Sequence, residues 1–212
     1  MPAPPANRTA WIHEETIAAL PCPEEQLPMV TGVRGALLLS SRETFLTMCP
    51  DWTAYSAALD RTDSEALARC MASDWVPMPL ALAHYAALDA LRLSAADARL
   101  IGEAVARRVH DSPFAPLLRL AATTGATPLS ALVLLPKLWA RLFVGGGVEI
   151  VRTGPKDAIA RAYKNPLFQS PYFRHGAGGH IELTARLLSV QAHVRPMPQV
   201  APDGCGYRIS WV

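Results

Sequence analysis

The sequence reads as an α+β protein in which a helical N-terminal two-thirds packs on a C-terminal, mainly antiparallel sheet of order β-β-α-β-β. Three observations predict this. Helix start and stop signals recur from about Gly32 to Phe143. At the run Gly145 to Gly147, read as a helix C-terminal glycine and connector, the apolar spacing changes from helical to alternating. The alternating part is interrupted once, by HGAGGHIELTARLLS, a glycine-marked helical segment.

Residues 1–29 are proline-punctuated and hold only WIHEETIAAL as a brief helical candidate, so they are read as an N-terminal arm to a single α+β domain over 30–212. GVRGALLL suits a short strand or extended entry. SSRETFLTM follows, with Ser40 and Glu43 at capping-box spacing and Pro50 as a stop. Thr62 and Glu65 repeat that spacing before ALARCMAS, and the prolines of DWVPMP fit the start of LALAHYAALDAL. Ser94 and Asp97 introduce ADARLIGEAVARRVHD, where Ile101, Ala104, Val105 and Val109 form one stripe and Asp97, Glu103, Arg107 and Arg108 face away. FAPLLRLAATTG and PLSALVLLPKLWARLF read as two more helices, separated by Gly125 and Pro128.

Beyond the glycine run, GVEIVRT, DAIARAYK, SVQAHVR and GYRISWV suit strands, with Tyr207, Ile209 and Trp211 on one face of the last. In YFRHGAGGHIELTARLL the glycines read as a turn that lets a crossover helix start close to the sheet. Ile181, Ala185 and Leu188 would then face the sheet, and Glu182 and Arg186 would form a surface pair at i, i+4.

Composition excludes several functions. The formal charge is +2, which gives no electrostatic case for nucleic acid as a partner. PLSALVLLPKLWARLFV is the most apolar stretch, but Pro136, Lys137 and Arg141 interrupt it, so no membrane span is expected. With no basic n-region leading into an apolar run at MPAPPANRTAW, the expected location is cytoplasmic. Cys22, Cys49, Cys70 and Cys205 are scattered without a CxxC, so they read as reduced packing thiols.

The chemical motifs are sparse. His175 and His180 lack helical zinc spacing and a third ligand, and their glycines fit neither GxGxxG nor a Walker loop. No GxSxG is present, His84 reads as a buried histidine rather than a base, and His110 suits a helix C-terminus. The sequence therefore predicts no catalytic residues, no metal, no cofactor and no enzyme activity. The remaining lead is aromatic: Trp75, Trp139, Phe143, Tyr172 and Phe173, with His175, are the candidate ligand-binding residues, while Trp211 shares their apolar placement.

GVRGALLL, DWVPMPLALAHYAAL, GATPLSALVLLPKLWARLFVGGGVEIVRTGPKDAIARAY, PYFRHGAGGHIELTARLL and YRISWV together resemble a myxobacterial paralogous family of unknown function, from about Val30 to Val212. That family is distantly similar to vinyl-reductase-type and TRAPP-like ligand domains and to haem nitric-oxide sensors. The resemblance implies a regulatory, ligand-binding module, commonly dimeric, without its own chemistry. Two features of the haem sensors are absent. The helix before GATP, PFAPLLRLAATT, has no histidine, and the Tyr-x-Ser-x-Arg propionate clamp is missing, so haem is not expected. Cys205 alone does not supply the cysteine zinc site of the vinyl-reductase-type regulators. The leading expectation is a homodimeric module with an apolar pocket for a hydrophobic small molecule. The alternative is a structural or protein-interaction module using the arm and exposed helix faces, and an enzyme would require His175, His180 and Glu182 to converge in a cleft.

Overall fold

The computed structural model describes residues 14–49, 53–110, 127–199 and 201–212. β1 (Glu15–Ala18) precedes β2 (Gly32–Arg34), which runs directly into α1 (Gly35–Met48). Then come α2 (Thr53–Ala58), α3 (Arg61–Arg69), β3 (Trp75–Pro77), α4 (Met78–Ala90) and α5 (Ala95–His110). After these follow α6 (Pro128–Leu132), α7 (Leu135–Leu142), β4 (Phe143–Val144), β5 (Gly147–Gly154) and β6 (Asp157–Tyr163). A 3-10 turn (Pro166–Gln169) leads into α8 (Pro171–Arg186), and β7 (Ala192–Pro196) and β8 (Cys205–Trp211) close the chain.

The class is α+β, and the C-terminal order is β5-β6-α8-β7-β8, the β-β-α-β-β unit that alternation predicts. The main sheet has five antiparallel strands in the order β1-β5-β6-β8-β7. Its register pairs Val148 with Ala162, Ile150 with Ala160, Ala160 with Tyr207 and Ala158 with Ile209, so these side chains share the face toward the helices. Tyr207, Ile209 and Trp211 are buried on that face, as their spacing predicts. A second sheet, β3-β2-β4, has as its middle strand the short strand expected at the start of GVRGALLL, but β3 and β4, three and two residues long, are not legible in the sequence.

Several local expectations are corrected. The described part of WIHEETIAAL is strand β1, which pairs with β5, because an open sheet edge satisfies its backbone where a short isolated helix would not. Ser40 and Glu43 lie within α1 rather than at its start. The third helix is capped by Asp60, whose carboxylate accepts the Asp63 N–H at 2.7 Å, so Thr62 is already inside it. Ser94 does cap α5, its hydroxyl accepting the Asp97 N–H at 3.1 Å. PLSALVLLPKLWARLF is two helices, with Pro136 in the first turn of the second. FAPLLRLAATTG lies outside the described residues; just beyond it, Thr127 caps α6 and Pro128 opens it.

The glycine run does not cap a helix. Gly145 and Gly146 adopt φ of 94° and 60° in the turn between β4 and β5, a conformation that favours glycine. The largest correction concerns α8. It starts at Pro171, with the Ser170 hydroxyl accepting the Phe173 N–H at 3.1 Å and the Asp89 carboxylate accepting the Tyr172 N–H at 2.8 Å. Its glycines are therefore helical residues rather than a turn before the helix.

Candidate functional site

The α8 helix has two faces that differ in how they pack. Toward α5, a Cβ on Gly102 would stand 2.1 Å from the Gly176 carbonyl oxygen, and one on Gly179 would stand 2.2 Å from that of Arg99. Side chains are excluded there, so the two backbones touch. An ion-pair ladder continues the seam. Glu182 pairs with both Arg99 and Arg186, Arg186 reaches Glu103 at 3.2 Å, and Arg99 donates to the Val194 carbonyl at 2.5 Å. Glu103 and Glu182 are buried, which corrects the reading of Glu103 as outward-facing and of Glu182–Arg186 as a surface pair.

The other face borders a void. Phe173, Ala177 and Ile181, four residues apart, line it together with Tyr172, Gly176 and His180. Opposite stand Val148, Ala160, Ala162 and Tyr207 of the sheet, while α7 with Phe143 supplies Leu135, Leu138, Trp139 and Leu142. Leu37 and Ser41 of α1, Tyr85 of α4 and Gly102 and Val105 of α5 complete the lining with Phe168. The volume arises because alanines and glycines face each other across the layers while large aromatics hold the rim apart. It measures about 130 Å³, close to the ~150 Å³ of an apolar cavity that stays dry and admits benzene or xenon.

The lining is almost entirely hydrocarbon, and no Lys, Arg, Asp or Glu belongs to it among the described residues. Trp139 satisfies its indole N–H on the Gly145 carbonyl at 3.0 Å, and the Tyr207 hydroxyl donates to the Arg174 carbonyl at 2.8 Å. Two polar places remain among the described lining residues, the His180 imidazole on α8 and a corner at Ser41. Ser41 Oγ lies 3.2 Å from Nε2 of His84, whose Nδ1 lies 2.7 Å from the Tyr55 hydroxyl. The Tyr85 and Tyr172 phenols, whose rings lie 6.2 Å apart, stand near the same Ser41 hydroxyl on the cavity wall.

A Ser–His–Tyr chain beside a cavity resembles the start of a nucleophilic site, but its acid-base chemistry is unfavourable. Burial first, then the Arg42 charge, pushes the His84 imidazole down to about 3. Each pH unit of such a shift is about 1.4 kcal/mol, so accepting a proton from Ser41 near pH 7 would cost several kcal/mol. His84 is thus a neutral orienting group. Burial likewise raises Tyr55 to about 12 and Tyr85 and Tyr172 well above the ordinary phenol value, so all three stay protonated.

Of the six sequence candidates, Trp139, Phe143, Tyr172 and Phe173 line the cavity. Trp75 does not: it is 43% exposed on β3, with the Arg34 guanidinium 3.7 Å above its ring. His175 also lies outside the lining, half-buried on α8, where burial, then Arg174 and Arg99, push its pKa down. His175, His180 and Glu182 do not assemble: Glu182 belongs to the arginine ladder, and no cluster of His, Cys, Asp and Glu able to hold a metal forms among the described residues. Sequence reasoning missed Ser41 and Tyr85 as wall residues. Leu37 and Ser41 share a face at i, i+4, but nothing local distinguishes that serine from others in α1.

No protein-family model matches the chain, and no curated protein matches it in sequence. Solved structures do match. The Fe(II) unliganded H-NOX protein from K. algicida superposes with a TM-score of 0.62 at 11% identity, over 84% of this chain and 96% of that one. A point mutant of that same H-NOX protein gives the same TM-score at 12% identity, with the same coverage. An oxygen-binding H-NOX domain related to soluble guanylate cyclases, in its oxygen complex, gives 0.56 at 7% identity over 84% of this chain and 94% of that one. At these identities the likeness shows a shared fold. Among the described residues no helix is long and apolar enough to cross a membrane.

Proposed function

We propose that this H-NOX-like fold serves as a binding or regulatory module that holds a small hydrophobic molecule between its helices and its sheet, without chemistry of its own. The observation that carries the reading is the cavity, an apolar volume lined by both layers. A ligand there would press on the open face of α8 while the α5 seam holds the opposite face, so occupancy would be felt by the helix and the sheet together.

Solved neighbours of the fold include H-NOX proteins studied for haem distortion and for oxygen binding. The described lining here does not fit haem. The volume of about 130 Å³ is that of a single small ring, and a buried propionate would meet no arginine or lysine. The histidine-free segment PFAPLLRLAATT lies outside the described residues but carries no imidazole in its sequence.

Native mass spectrometry of the freshly purified chain, set against its denatured mass, tests the proposal. The expected result is a defined non-covalent adduct on the 22.9 kDa chain. A clean mass, with no thermal stabilisation by single-ring hydrocarbons, would overturn it. A second reading, an interaction module or homodimer, rests on Trp75 and Val144, exposed on the outer strands of the small sheet, with Met71 exposed in the adjoining turn. The same spectrum reports it as twice the chain mass.

A further inference from the structure

Among the described lining residues, Ser41, Tyr85 and Tyr172 bring hydroxyls to the cavity, His180 brings an imidazole from α8, and the hydroxyl corner carries information about what the cavity takes. Resting on the ligand-binding reading above, we propose that the ligand is an uncharged small molecule with one hydroxyl on an apolar body, an alcohol or a phenol, whose oxygen sits against Ser41, Tyr85 and Tyr172.

Charge is excluded by the lining. A carboxylate or ammonium placed there would lose its water and meet no Lys, Arg, Asp or Glu among the described lining residues. A pure hydrocarbon would fill the volume but leave the hydroxyls' spare hydrogen-bonding capacity unused, and a buried polar group left unmet costs more than a made hydrogen bond gains.

The choice of a hydroxyl over a carbonyl follows from His84. Neutral imidazole has one donor and one acceptor nitrogen. If the Tyr55 hydroxyl donates to Nδ1, then Nε2–H donates to Ser41 Oγ, and the Ser41 proton is released toward the cavity to meet an acceptor. If Tyr55 instead accepts from Nδ1–H, the Ser41 proton goes to Nε2, and the corner offers lone pairs that suit a donor. A carbonyl meets Ser41 in the first arrangement alone, although it can accept from the Tyr85 and Tyr172 phenols in either. A hydroxyl meets all three in both, because it donates and accepts. The three wall residues are themselves buried, Ser41 at 2%, Tyr85 at 3% and Tyr172 at 6% exposure, so bulk water does not compete for them.

Titrating the full chain with toluene, p-cresol and benzoate, read by calorimetry, tests this. The three probes share one ring and differ in the polar group. p-Cresol is expected to bind about tenfold more tightly than toluene, the gain of one buried hydrogen bond. Benzoate is expected to bind at least about a hundredfold more weakly than p-cresol. Tyr172→Phe, which removes only an oxygen, should bring p-cresol to the affinity of toluene while leaving toluene within about twofold. Tyr85→Phe provides the same comparison at the neighbouring phenol should the first variant fold poorly. Equal binding of toluene and p-cresol, a preference that survives both variants, or tight benzoate binding would overturn the hydroxyl assignment and leave the cavity reading standing. Binding of none of the three would overturn both.

Discussion

The two faces of α8 are built from similar small residues and do opposite things. On the α5 side, Gly102 and Gly179 leave no space at all, because the facing backbone stands where a Cβ would go. On the sheet side, Ala177 faces Ala160 and Ala162 across a void. Small residues alone therefore predict neither contact nor cavity. What decides is whether the neighbouring elements are free to close up. On the seam, backbones and an ion-pair ladder draw α5 and α8 together. Across the cavity, Trp139, Phe143, Phe168 and Phe173 pack against one another, with ring centroids 4.4 to 6.4 Å apart, and hold the layers open.

The contrast breaks most sharply at Gly179. Gly179→Leu should cost more than about 4 kcal/mol or abolish folding, since its side chain meets the Arg99 carbonyl rather than a yielding side chain. Circular dichroism melts check it, and full stability would refute backbone contact at the seam. Next comes Glu182→Ala, which leaves Arg99 and Arg186 without their shared carboxylate and should cost about 3–5 kcal/mol in urea unfolding.

On the cavity side, acid is the probe. His84 is depressed to about 3 in the fold against about 6.5 unfolded, so the unfolded chain binds the extra proton between those values. Its contribution to stability is intact above pH 6.5 and is lost as pH falls toward 3, by up to about 1.4 kcal/mol per unit. His175, also depressed, adds slope of the same sign. A His84→Asn variant should flatten the dependence measured by chemical unfolding from pH 7 to 5.

The smallest expected effects sharpen the comparison. Ala160→Leu places a branched side chain into the void and should change stability by no more than about 1 kcal/mol while removing binding of single-ring probes. Gly176→Ala should stay within about 1 kcal/mol and can stabilise, because its own Cβ would find the Ala98 oxygen at 3.6 Å, an ordinary contact, and alanine favours helix.

The fold class and the C-terminal β-β-α-β-β order are legible because alternation and helical spacing are local signals. The start of α8 is legible too, in Ser170-Pro171, a cap followed by a first-turn proline. Reading YFRHGAGG as a turn instead gives weight to glycine's permissiveness over that pair. The seam is not legible, since the partner of each glycine lies more than seventy residues away. Four aromatic wall residues could be chosen because bulky apolar groups concentrate where layers meet, whereas Ser41 and Tyr85 gain their place from the tertiary crossing of α1 and α4. Trp75 shows the limit of that reasoning, being an aromatic held at the surface by Arg34.

The account rests on the cavity being a real binding volume, and a thermal melt of the wild type and of Ala160→Leu with and without saturating toluene tests that most directly. The account predicts a toluene-dependent rise in Tm for the wild type, about 2.7 kcal/mol of stabilisation at a hundredfold excess over Kd, and none for the variant. No rise in the wild type, or an equal rise in both, would contradict it.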